Sequence, residues 1–593
     1  MKENSRMTYV FRLFPVLFFV LQAVAWAGMD SPGRHPVSFV LLHVNDTHSR
    51  FFPRPVPLRL PGMDEPVSID TGSVSQMAAL IRQAREQYPQ VLFLHAGDMV
   101  QGSLYYALFQ GRADVQVYTA MGLDAMAAGN HEFDSGTPGM RILLDHAGFP
   151  ILSANLDVSD DPDLAGRIPP YVIRQVDGEP VAVIGLVTEH LSRISSPSRQ
   201  TRMLPVIETA QQIIDHLTAR GVQIIVLLTH IGYDNDLVLG ASVTGADIIV
   251  GGHSHTLLGE FRDLGLDSRG PYPTVVTAPD GADVLVVHAW AHTRVLGKLA
   301  VAFDPAGRII SHEGTPRLIA AIPFPDENQN SPGSRKRRQV SHAVSRSPHI
   351  HASKEDPAVA AILETYAQQA AGLGKTVVGS AVSDLVHVRE PDPGRLPVSN
   401  VAPVVADALR WELNRSGIGV DIAIQNAGGV RSDIRAGDIT IETIYDLLPF
   451  QNTLVVFNMT GTRVRTLLED ALCAILDEGL SWGGFPYASG LRFTIDPAAS
   501  RGDRIGGCEV LDDAGVWQAM DMNRVYRVAV NRFLAGGGDG YTAFAGLEAD
   551  DTGVIDTQAF LDYVSEKKII GPLPPEGPPG GDPGAWPHPM WFP

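Results

Sequence analysis

Between Val37 and Phe324, short apolar runs alternate with polar turns and helical stretches. The runs are rich in β-branched residues and end at Gly, Asp or His: VSFVLLHVND, VLFLHAGD, VAVIGLVT, GVQIIVLLTH and GADIIVGGHSH. Between them, VSQMAALIRQAREQY and VIETAQQIIDHLTARG have the spacing of amphipathic helices. Strands that alternate with helices predict an α/β domain with buried sheets.

The periodicity then breaks and starts again, which predicts two domains. The first break contains the basic stretch SRKRRQ near Arg335, either a solvated loop or a segment that docks a partner. The segment DPAVAAILETYAQQAAGLG predicts a single helix, and the end of the chain is rich in Pro and Gly. The predicted boundaries are 36–324 for the first domain, 325–354 for a linker or surface loop, 355–374 for an interdomain helix, 375–570 for the second domain and 571–593 for the tail.

Length and composition agree with a soluble protein of more than one domain. The 593 residues exceed what one core accommodates, and 45% hydrophobic with 19% charged residues is ordinary for globular proteins. The net charge of -20 disfavours nucleic acid polymers and anionic membranes as partners. It leaves room for a small anionic substrate, because bound cations or a local Arg pocket can reverse the field within a cleft.

The N-terminus has the features of a signal peptide over residues 1–27. Basic residues precede the apolar run LFPVLFFVLQAV, and Ala25 and Ala27 supply an A-x-A cleavage site. We therefore expect an exported protein, periplasmic or extracellular, without a stable membrane anchor; an uncleaved anchor is the alternative. In such a compartment Cys473 and Cys508 either form a disulfide or stay as two free thiols.

Polar residues follow five of the apolar runs at their carboxyl ends, where open α/β sheets bind ligands. They are Asp46 and His48, then Asp98, then Asn130 with His131 and Asp134, then His230, and finally His253 and His255. A capping Asp or a packed His explains any one of them, but hardly all five at one sheet edge. Asp, His and Asn without Cys suit Zn, Mn or Co. Seven candidate ligands fit two ions about 3.5–4 Å apart.

His131 and Asp134 remain for a different task. A carboxylate bonded to one imidazole nitrogen raises the basicity of the ring and aims the other nitrogen, which predicts a catalytic pair. Glu132, between them, is predicted to be structural. His43 and His95 lie inside apolar runs and are predicted to be packed or supporting histidines.

The motifs NDTH, GD, GNHEFD, TH and GGHSH, in this order, resemble those of the calcineurin-like metallophosphoesterase superfamily. From Val37 to Ile570 the chain resembles the 5′-nucleotidase family, which includes UDP-sugar hydrolases and 2′,3′-cyclic-nucleotide phosphodiesterases. The resemblance implies a four-layered α/β-β/α catalytic domain, joined by a linker helix to a second α/β (α+β) nucleotide-binding domain.

The resemblance also implies how the candidate residues divide. Asp46, His48, Asp98 and His255 would surround one divalent ion, and Asp98, Asn130, His230 and His253 the other, with Asp98 bridging. His131 and Asp134 match the catalytic dyad of the family. The metal preference stays open, because some family members carry Gln or Asn at the place of His255.

The second domain carries motifs that resemble the nucleotide-binding side of the family. These are QNAGGVR with Asn426 and Arg431, RLPVSN with Arg395, LLPFQNTL with Phe450, and NRFLAGGGDGY with Phe533 and Asp539. Ala427 stands where the family has Gly. The resemblance implies that the arginines approach the phosphate, the two rings sandwich the base, and Asp539 binds the ribose hydroxyls. Base stacking of this kind tolerates any base.

The predicted function is therefore an exported two-metal phosphohydrolase that cleaves nucleoside 5′-monophosphates, or UDP-sugars, by metal-activated water without a covalent intermediate. The alternatives on the same scaffold are a 2′,3′-cyclic-nucleotide phosphodiesterase with 3′-nucleotidase activity, a sugar phosphatase and a thiosulfohydrolase. A non-catalytic nucleotide receptor is the alternative of another class. The complete ligand set and the pair of His131 and Asp134 weigh against it.

Overall fold

The computed structural model describes residues 35–63, 65–321, 334–389, 391, 398–512 and 515–573. The predicted signal peptide, Arg395 and residues 574–593 of the predicted tail lie outside the described residues. Among the described residues, no helix combines the length and the apolar character that a membrane span needs.

The first part of the chain alternates strands and helices as its hydrophobic pattern predicts. Its strands are β1 Val37–Val44, β2 Arg54–Leu58, β3 Val67–Thr71, β4 Val91–His95, β5 Ala125–Ala127, β6 Ile151–Leu152, β7 Leu156–Asp157, β8 Tyr171–Val176, β9 Glu179–Val187, β10 Arg202–Met203, β11 Ile224–His230, β12 Ile248–Gly251, β13 Thr274–Thr277, β14 Asp283–Val287, β15 Val295–Phe303, β16 Ile309–Gly314, β17 Arg317–Ile319 and β18 Ile350–His351. Its helices are α1 Val74–Gln87, α2 Leu104–Phe109, α3 Arg112–Ala120, α4 Gly136–His146, α5 Leu191–Ile194, α6 Val206–Thr218, α7 Tyr233–Ser242, α8 Ser334–Arg346 and α9 Pro357–Gly374.

Two sheets stack face to face in this domain. One has the order β18-β17-β15-β1-β4-β5-β6 with β16 beside β15, and the other has the order β13-β14-β12-β11-β9-β8. Leu41 and Leu94 of the first sheet share a buried cluster with Ile225 and Val250 of the second. Helices α1, α3 and α4 cover the outer face of the first sheet, and α6 and α7 that of the second. The four-layered fold implied by the resemblance is therefore present.

The strands that precede the candidate ligands belong to both sheets. Strands β1, β4 and β5 run parallel in the first sheet, and β9, β11, β12 and β14 run parallel in the second. We expected all candidate ligands at the edge of one sheet, and this was wrong. Residue periodicity does not show to which sheet a buried strand belongs. The carboxyl ends of two stacked sheets meet instead.

The second domain is a mixed α/β structure. Its strands are β19 Val377–Ala381, β20 Ile422–Asn426, β21 Gly437–Thr440, β22 Thr453–Thr460, β23 Pro486–Ser489, β24 Leu491–Ile495, β25 Ile505–Leu511, β26 Trp517–Ala519, β27 Val525–Asn531, β28 Ala549–Ile555 and β29 Ile569–Ile570. Its helices are α10 Ala402–Arg415, α11 Ile441–Leu447, α12 Gly461–Leu476, α13 Arg532–Ala535 and α14 Asp556–Lys567. The central sheet β23-β20-β27-β22-β28 packs against α10, α12 and α14 in one buried cluster. Cys473 and Cys508 are free thiols here.

The described part of the segment between the domains, residues 334–354, contains regular secondary structure. Residues 325–354, predicted as a linker or surface loop, contain helix α8 and strand β18, which pairs with β17. Ala343 and Val344 of α8 are buried against the first domain. The basic composition of the segment gives no indication of this contact. Helix α9 follows, capped by Asp356, whose carboxylate accepts from the main-chain nitrogen of Ala358 at 2.9 Å.

Candidate functional site

The candidate ligands lie on short loops that follow the strands, and these loops have unusual backbone. Five of the seven predicted ligands adopt a left-handed conformation with positive φ: Asp46 at 50°, His48 at 54°, Asp98 at 54°, His253 at 78° and His255 at 50°. Outside glycine this region costs about 1–3 kcal/mol per residue and recurs at functional sites. Surrounding contacts must therefore hold these loops in place.

One group of ligands forms around Asp98 and the second sheet. The Nε2 atom of His230 lies 3.0 Å from Oδ2 of Asp98 and 3.2 Å from Oδ1 of Asn130. The Nδ1 atom of His253 lies 2.9 Å from the same Asn130 oxygen. Four side chains from β4, β5, β11 and β12 thus direct oxygen and nitrogen atoms at one point.

A second group forms beside it. The Nε2 atoms of His48 and His255 lie 3.0 Å apart, and that of His255 lies 3.6 Å from Oδ1 of Asp46. His48 also shares a three-residue cluster with Asp98 and His131, in which all ligand atoms lie within 4.8 Å of one another. Asp98 therefore contributes to both groups, and all seven predicted ligands come together.

The electrostatics of the two groups fit divalent cations. Burial lowers the pKa of His48 and of His255 well below the usual range, so both rings keep free nitrogen lone pairs at neutral pH. Burial alone would lower the pKa of His230, but Asp98 raises it to about 10. Protonated His230 therefore places a positive charge beside Asp98. A divalent cation bound at this position would supply that positive charge in its place.

Hydrogen bonds around the ligands orient them. Glu132 accepts from the main-chain nitrogens of Gly129 at 2.7 Å, Met99 at 2.9 Å and Asp98 at 3.1 Å. These contacts agree with the predicted structural role of Glu132, because its carboxylate joins the loops that follow β4 and β5.

Two further contacts cross from one sheet to the other. The Nδ1 atom of His230 donates to the carbonyl oxygen of Ala96 at 2.7 Å. The main-chain nitrogen of His253 donates to the Asp46 carboxylate at 3.0 Å. Partners of this kind set the tautomer and the direction of a ligating side chain.

His131 and Asp134 form the predicted pair at the rim of the ligand cluster. The Nδ1 atom of His131 lies 2.5 Å from Oδ2 of Asp134, and Oγ of Ser195 donates to the other carboxylate oxygen at 2.8 Å. The Nε2 atom of His131 lies 3.8 Å from Asp98. Burial opposes the charged ring, but Asp134 and Asp98 outweigh it and raise the pKa of His131.

Two histidines of the apolar runs bond to hydroxyl groups rather than to the candidate ligands, which agrees with their prediction as packed or supporting histidines. His43 bonds through Nε2 to the hydroxyl of Tyr272 at 2.7 Å, and His95 bonds to Oγ1 of Thr47 at 2.9 Å. Burial lowers the pKa of both rings to about 3, so they are neutral packing groups.

His292 joins the cluster although no sequence prediction includes it. It forms a group with His48 and His255 whose ligand atoms lie within 4.8 Å of one another. Burial lowers the pKa of His292 well below its usual range. A signal was available, because His292 follows DVLVV, a further β-branched run that forms β14.

Two of the predicted nucleotide residues of the second domain, Asn426 and Asp539, contact each other. The amide of Asn426 donates to Oδ2 of Asp539 at 2.7 Å, and its carbonyl oxygen accepts from Asn531 at 3.0 Å. Asp539 has a positive φ of 53°, and burial raises its pKa to about 6. Asn531 belongs to the site although the motifs do not single it out.

The aromatic residues take different places. Phe450 lies under the guanidinium of Arg431 at 5.5 Å, and its ring centre is 5.6 Å from that of His131. Phe533 lies against Gly538, where an added Cβ atom would meet its ring at 2.5 Å. The predicted sandwich of a base between the two rings therefore stays a prediction.

Arg431 is half-buried and faces the first domain, and desolvation together with Arg389 lowers its pKa to about 9. Arg389 also acts electrostatically on His255 and Asp539, although no motif points to it. Arg395, the other predicted phosphate-side arginine, lies outside the described residues. A positive region therefore faces the ligand cluster from the second domain.

Comparison with known proteins agrees with both halves of the site. Residues 39–257 match the calcineurin-like phosphoesterase family, and residues 377–546 match the 5′-nucleotidase C-terminal domain. A probable 5′-nucleotidase of Treponema pallidum is 33% identical over 89% of this chain and 92% of its own length. An NAD 5′-nucleotidase of Haemophilus influenzae is 32% identical over 94% of this chain and 95% of its own length.

A solved structure is similar along most of the chain. The 5′-nucleotidase precursor of Thermus thermophilus superposes with a TM-score of 0.77 at 36% identity, covering 90% of this chain and 98% of that one. Both domains are matched in their order along the chain. The chain therefore belongs to the 5′-nucleotidase family of metal-dependent phosphoester hydrolases.

Proposed function

We propose that this protein hydrolyses nucleoside 5′-monophosphates to nucleoside and phosphate, with two divalent cations held by the seven predicted ligands. The observation that carries the proposal is the double membership of Asp98, which belongs to the group with His48 and His131 and to the group with His230 and His253. A carboxylate shared by two ligand groups suits a pair of ions about 3.5–4 Å apart. Mixed imidazole and oxygen ligands favour Zn, Mn or Co.

Cations bound there would activate water and neutralise phosphoryl oxygens. The residues of the chain would do the rest. His131, aimed by Asp134 and with a raised pKa, is protonated more readily than a free histidine. In that form it can stabilise the charge on the phosphoryl group and protonate the leaving oxygen. Arg431, above Phe450 at 5.5 Å, offers a planar charged fork to the phosphate.

Selection of a nucleotide would fall to the other residues of the second domain. Phe450 and Phe533 present apolar ring faces that can stack on any base. Asp539, held by Asn426 at 2.7 Å, offers a carboxylate to the two ribose hydroxyls. The relatives named 5′-nucleotidase support this substrate class, and the Haemophilus relative adds a dinucleotide to the compounds worth testing.

The direct test is phosphate release from a substrate panel by protein stripped with EDTA and reloaded with Zn, Mn or Co. The panel holds four nucleoside 5′-monophosphates, NAD, UDP-glucose, 2′,3′-cyclic AMP and an aryl phosphate. We expect the monophosphates to be cleaved fastest, and activity to vanish without metal. Hydrolysis of the cyclic nucleotide alone, or binding without turnover, would contradict the proposal. Variant His131→Ala serves as the inactive control.

We also infer that the protein is exported to the periplasm or beyond the cell. The support is the sequence of residues 1–27, with its basic start, its apolar run and its A-x-A site. Sequencing the N-terminus of protein from the periplasmic or culture fraction tests this. A mature chain that begins near Gly28 is expected, and retention of Met1 in those fractions would contradict cleavage.

A further inference from the structure

His292 lies in the turn that follows β14, one more strand of the second sheet. It follows β14, which pairs in parallel with β12, the strand that leads to His253 and His255. Its ring centre is 5.6 Å from that of His48 and 5.5 Å from that of His255. Topology thus delivers a third imidazole to the two that already face each other.

The nitrogen atoms of these three rings can meet one cation. One nitrogen atom from each ring lies within 4.8 Å of those from the other two, and the Nε2 atoms of His48 and His255 are 3.0 Å apart. Metal–nitrogen bonds of about 2.0–2.1 Å separate neighbouring ligand nitrogens by about 3–4 Å. Small side-chain adjustments would therefore suffice to close the group around an ion.

The backbone holds His292 in this position. Trp290, His292 and Thr293 all have left-handed φ, at 59°, 58° and 58°. The main-chain nitrogen of His292 donates to the carbonyl oxygen of Asp46 at 2.8 Å, and the side chain of Asn45 donates to that of Trp290 at 2.6 Å. Strained turns of this kind cluster at ligand clamps. The turn is thus tied directly to the loop that carries a predicted ligand.

We propose that His292 is an additional metal ligand, so that His48, His255 and His292 form a three-imidazole face on the ion shared with Asp46. The inference rests on the proposed two-cation function and adds its metal preference. Imidazole suits Zn, Ni and Cu, whereas carboxylate and carbonyl oxygens suit Mg and Mn. This site would therefore favour zinc over manganese more strongly than the site of Asn130, which has two histidines.

The test compares metal binding by the full chain, wild type, His292→Phe and His292→Gln, after removal of metals with a chelator. Phe keeps a ring without a ligand atom, and Gln keeps a polar atom. His312→Phe, which removes an exposed imidazole of β16, is the matched control. Zinc chloride alone and manganese chloride alone are titrated by calorimetry, and bound metal is counted by mass spectrometry.

We expect wild type and control to bind two zinc ions. In His292→Phe, one of the two zinc affinities should fall by at least ~10–100-fold, the range seen when even indirect partners of a ligand are lost. Manganese affinity should fall less, and His292→Gln should lie between. Unchanged zinc affinities in both variants would overturn the inference. If the zinc affinities were unchanged but the KM for nucleotide rose, His292 would contact the substrate rather than the metal.

A wild type that binds no zinc or manganese would defeat the proposed function itself, which is a different result. Should both variants misfold by circular dichroism, zinc-soaked crystals of the wild type decide. An anomalous peak about 2.1 Å from a nitrogen of His292 would support coordination. A peak bonded to His48 and His255 but remote from His292 would overturn it.

Discussion

The metal side and the nucleotide side of the cleft are built in different ways. Asp46, Asp98 and His230 are at most 2% exposed and lie at or shortly after the carboxyl ends of strands in two stacked sheets. Phe450 and Phe533 are only partly buried; Phe450 lies on a loop of the second domain, and Phe533 lies in the one-turn helix α13. Ligand positions are thus set by sheet topology, whereas the nucleotide residues depend on loop conformation and on how the domains meet.

The strongest test of the metal side is Asp98→Asn. The amide keeps the shape but removes the charge that both groups share, so both ions should be lost or weakened together. We expect turnover to fall beyond the ~10²–10⁴-fold typical of a lost acid–base group. Metal content and phosphate release measure this. Asp283→Asn, an exposed change at the start of β14, is the control. One ion retained at full strength would show that Asp98 is not shared.

His131→Ala separates chemistry from metal binding. We expect turnover to drop by ~10²–10⁴-fold while the metal content stays at that of the wild type. The ring bonds to Asp134 and only approaches Asp98, at 3.8 Å, so its removal should leave the ligands in place. Equal loss of metal and activity would make His131 a ligand instead.

Phe533→Ala probes the nucleotide side alone. Stacking on a base contributes ~1–3 kcal/mol, which corresponds to a KM increase of roughly 5–150-fold for nucleoside monophosphates. The KM of an aryl phosphate that lacks base and ribose should change little, and it is the internal control. Similar losses on both substrates would mean that Phe533 only packs against Gly538.

Acid should weaken nucleotide binding through Asp539. Burial raises its pKa to about 6, so the carboxylate is charged above that pH and becomes protonated as pH falls through it. KM for nucleoside monophosphates should therefore rise several-fold between about pH 7 and pH 5. Acid also affects the metal ligands, so KM is compared with that of the aryl phosphate. If the variant Asp539→Asn showed the same rise in nucleotide KM at low pH, the carboxyl group of Asp539 would not be its cause.

The smallest effect is expected where the two sides touch. Asp446 of α11 accepts from Arg50 and Arg54 of the first domain, both at 2.7 Å. The side chain of Arg54 is 45% exposed, and exposed ion pairs contribute about 0.2–1 kcal/mol, so Arg54→Gln should lower kcat/KM by less than about fivefold. High salt should produce the same change in the wild type. A much larger loss would mean that these contacts control domain closure.

The difference between the two sides also explains what the sequence predicts. Polar residues after β-branched runs predict seven candidate ligands, because the residues that follow parallel strands lie at the carboxyl edge of a sheet. The same rule would add His292 to the candidates only if DVLVV were counted among the predicted strands. Division of the strands between two sheets is not visible in residue periodicity. Asn531 escapes prediction because its role depends on β20 and β27 being neighbours.

Two of the hydrogen bonds that connect the stacked sheets at the ligand cluster have a consequence for thermal stability. His230 is tied to Ala96 and His253 to Asp46, so a cation held by these side chains fastens one half of the sandwich to the other. Saturation of such a site at 100 times its Kd stabilises the folded state by about 2.7 kcal/mol. The melting temperature would then rise with the concentration of free metal in the surroundings, so metal scarcity would lower the stability of the protein as well as its activity.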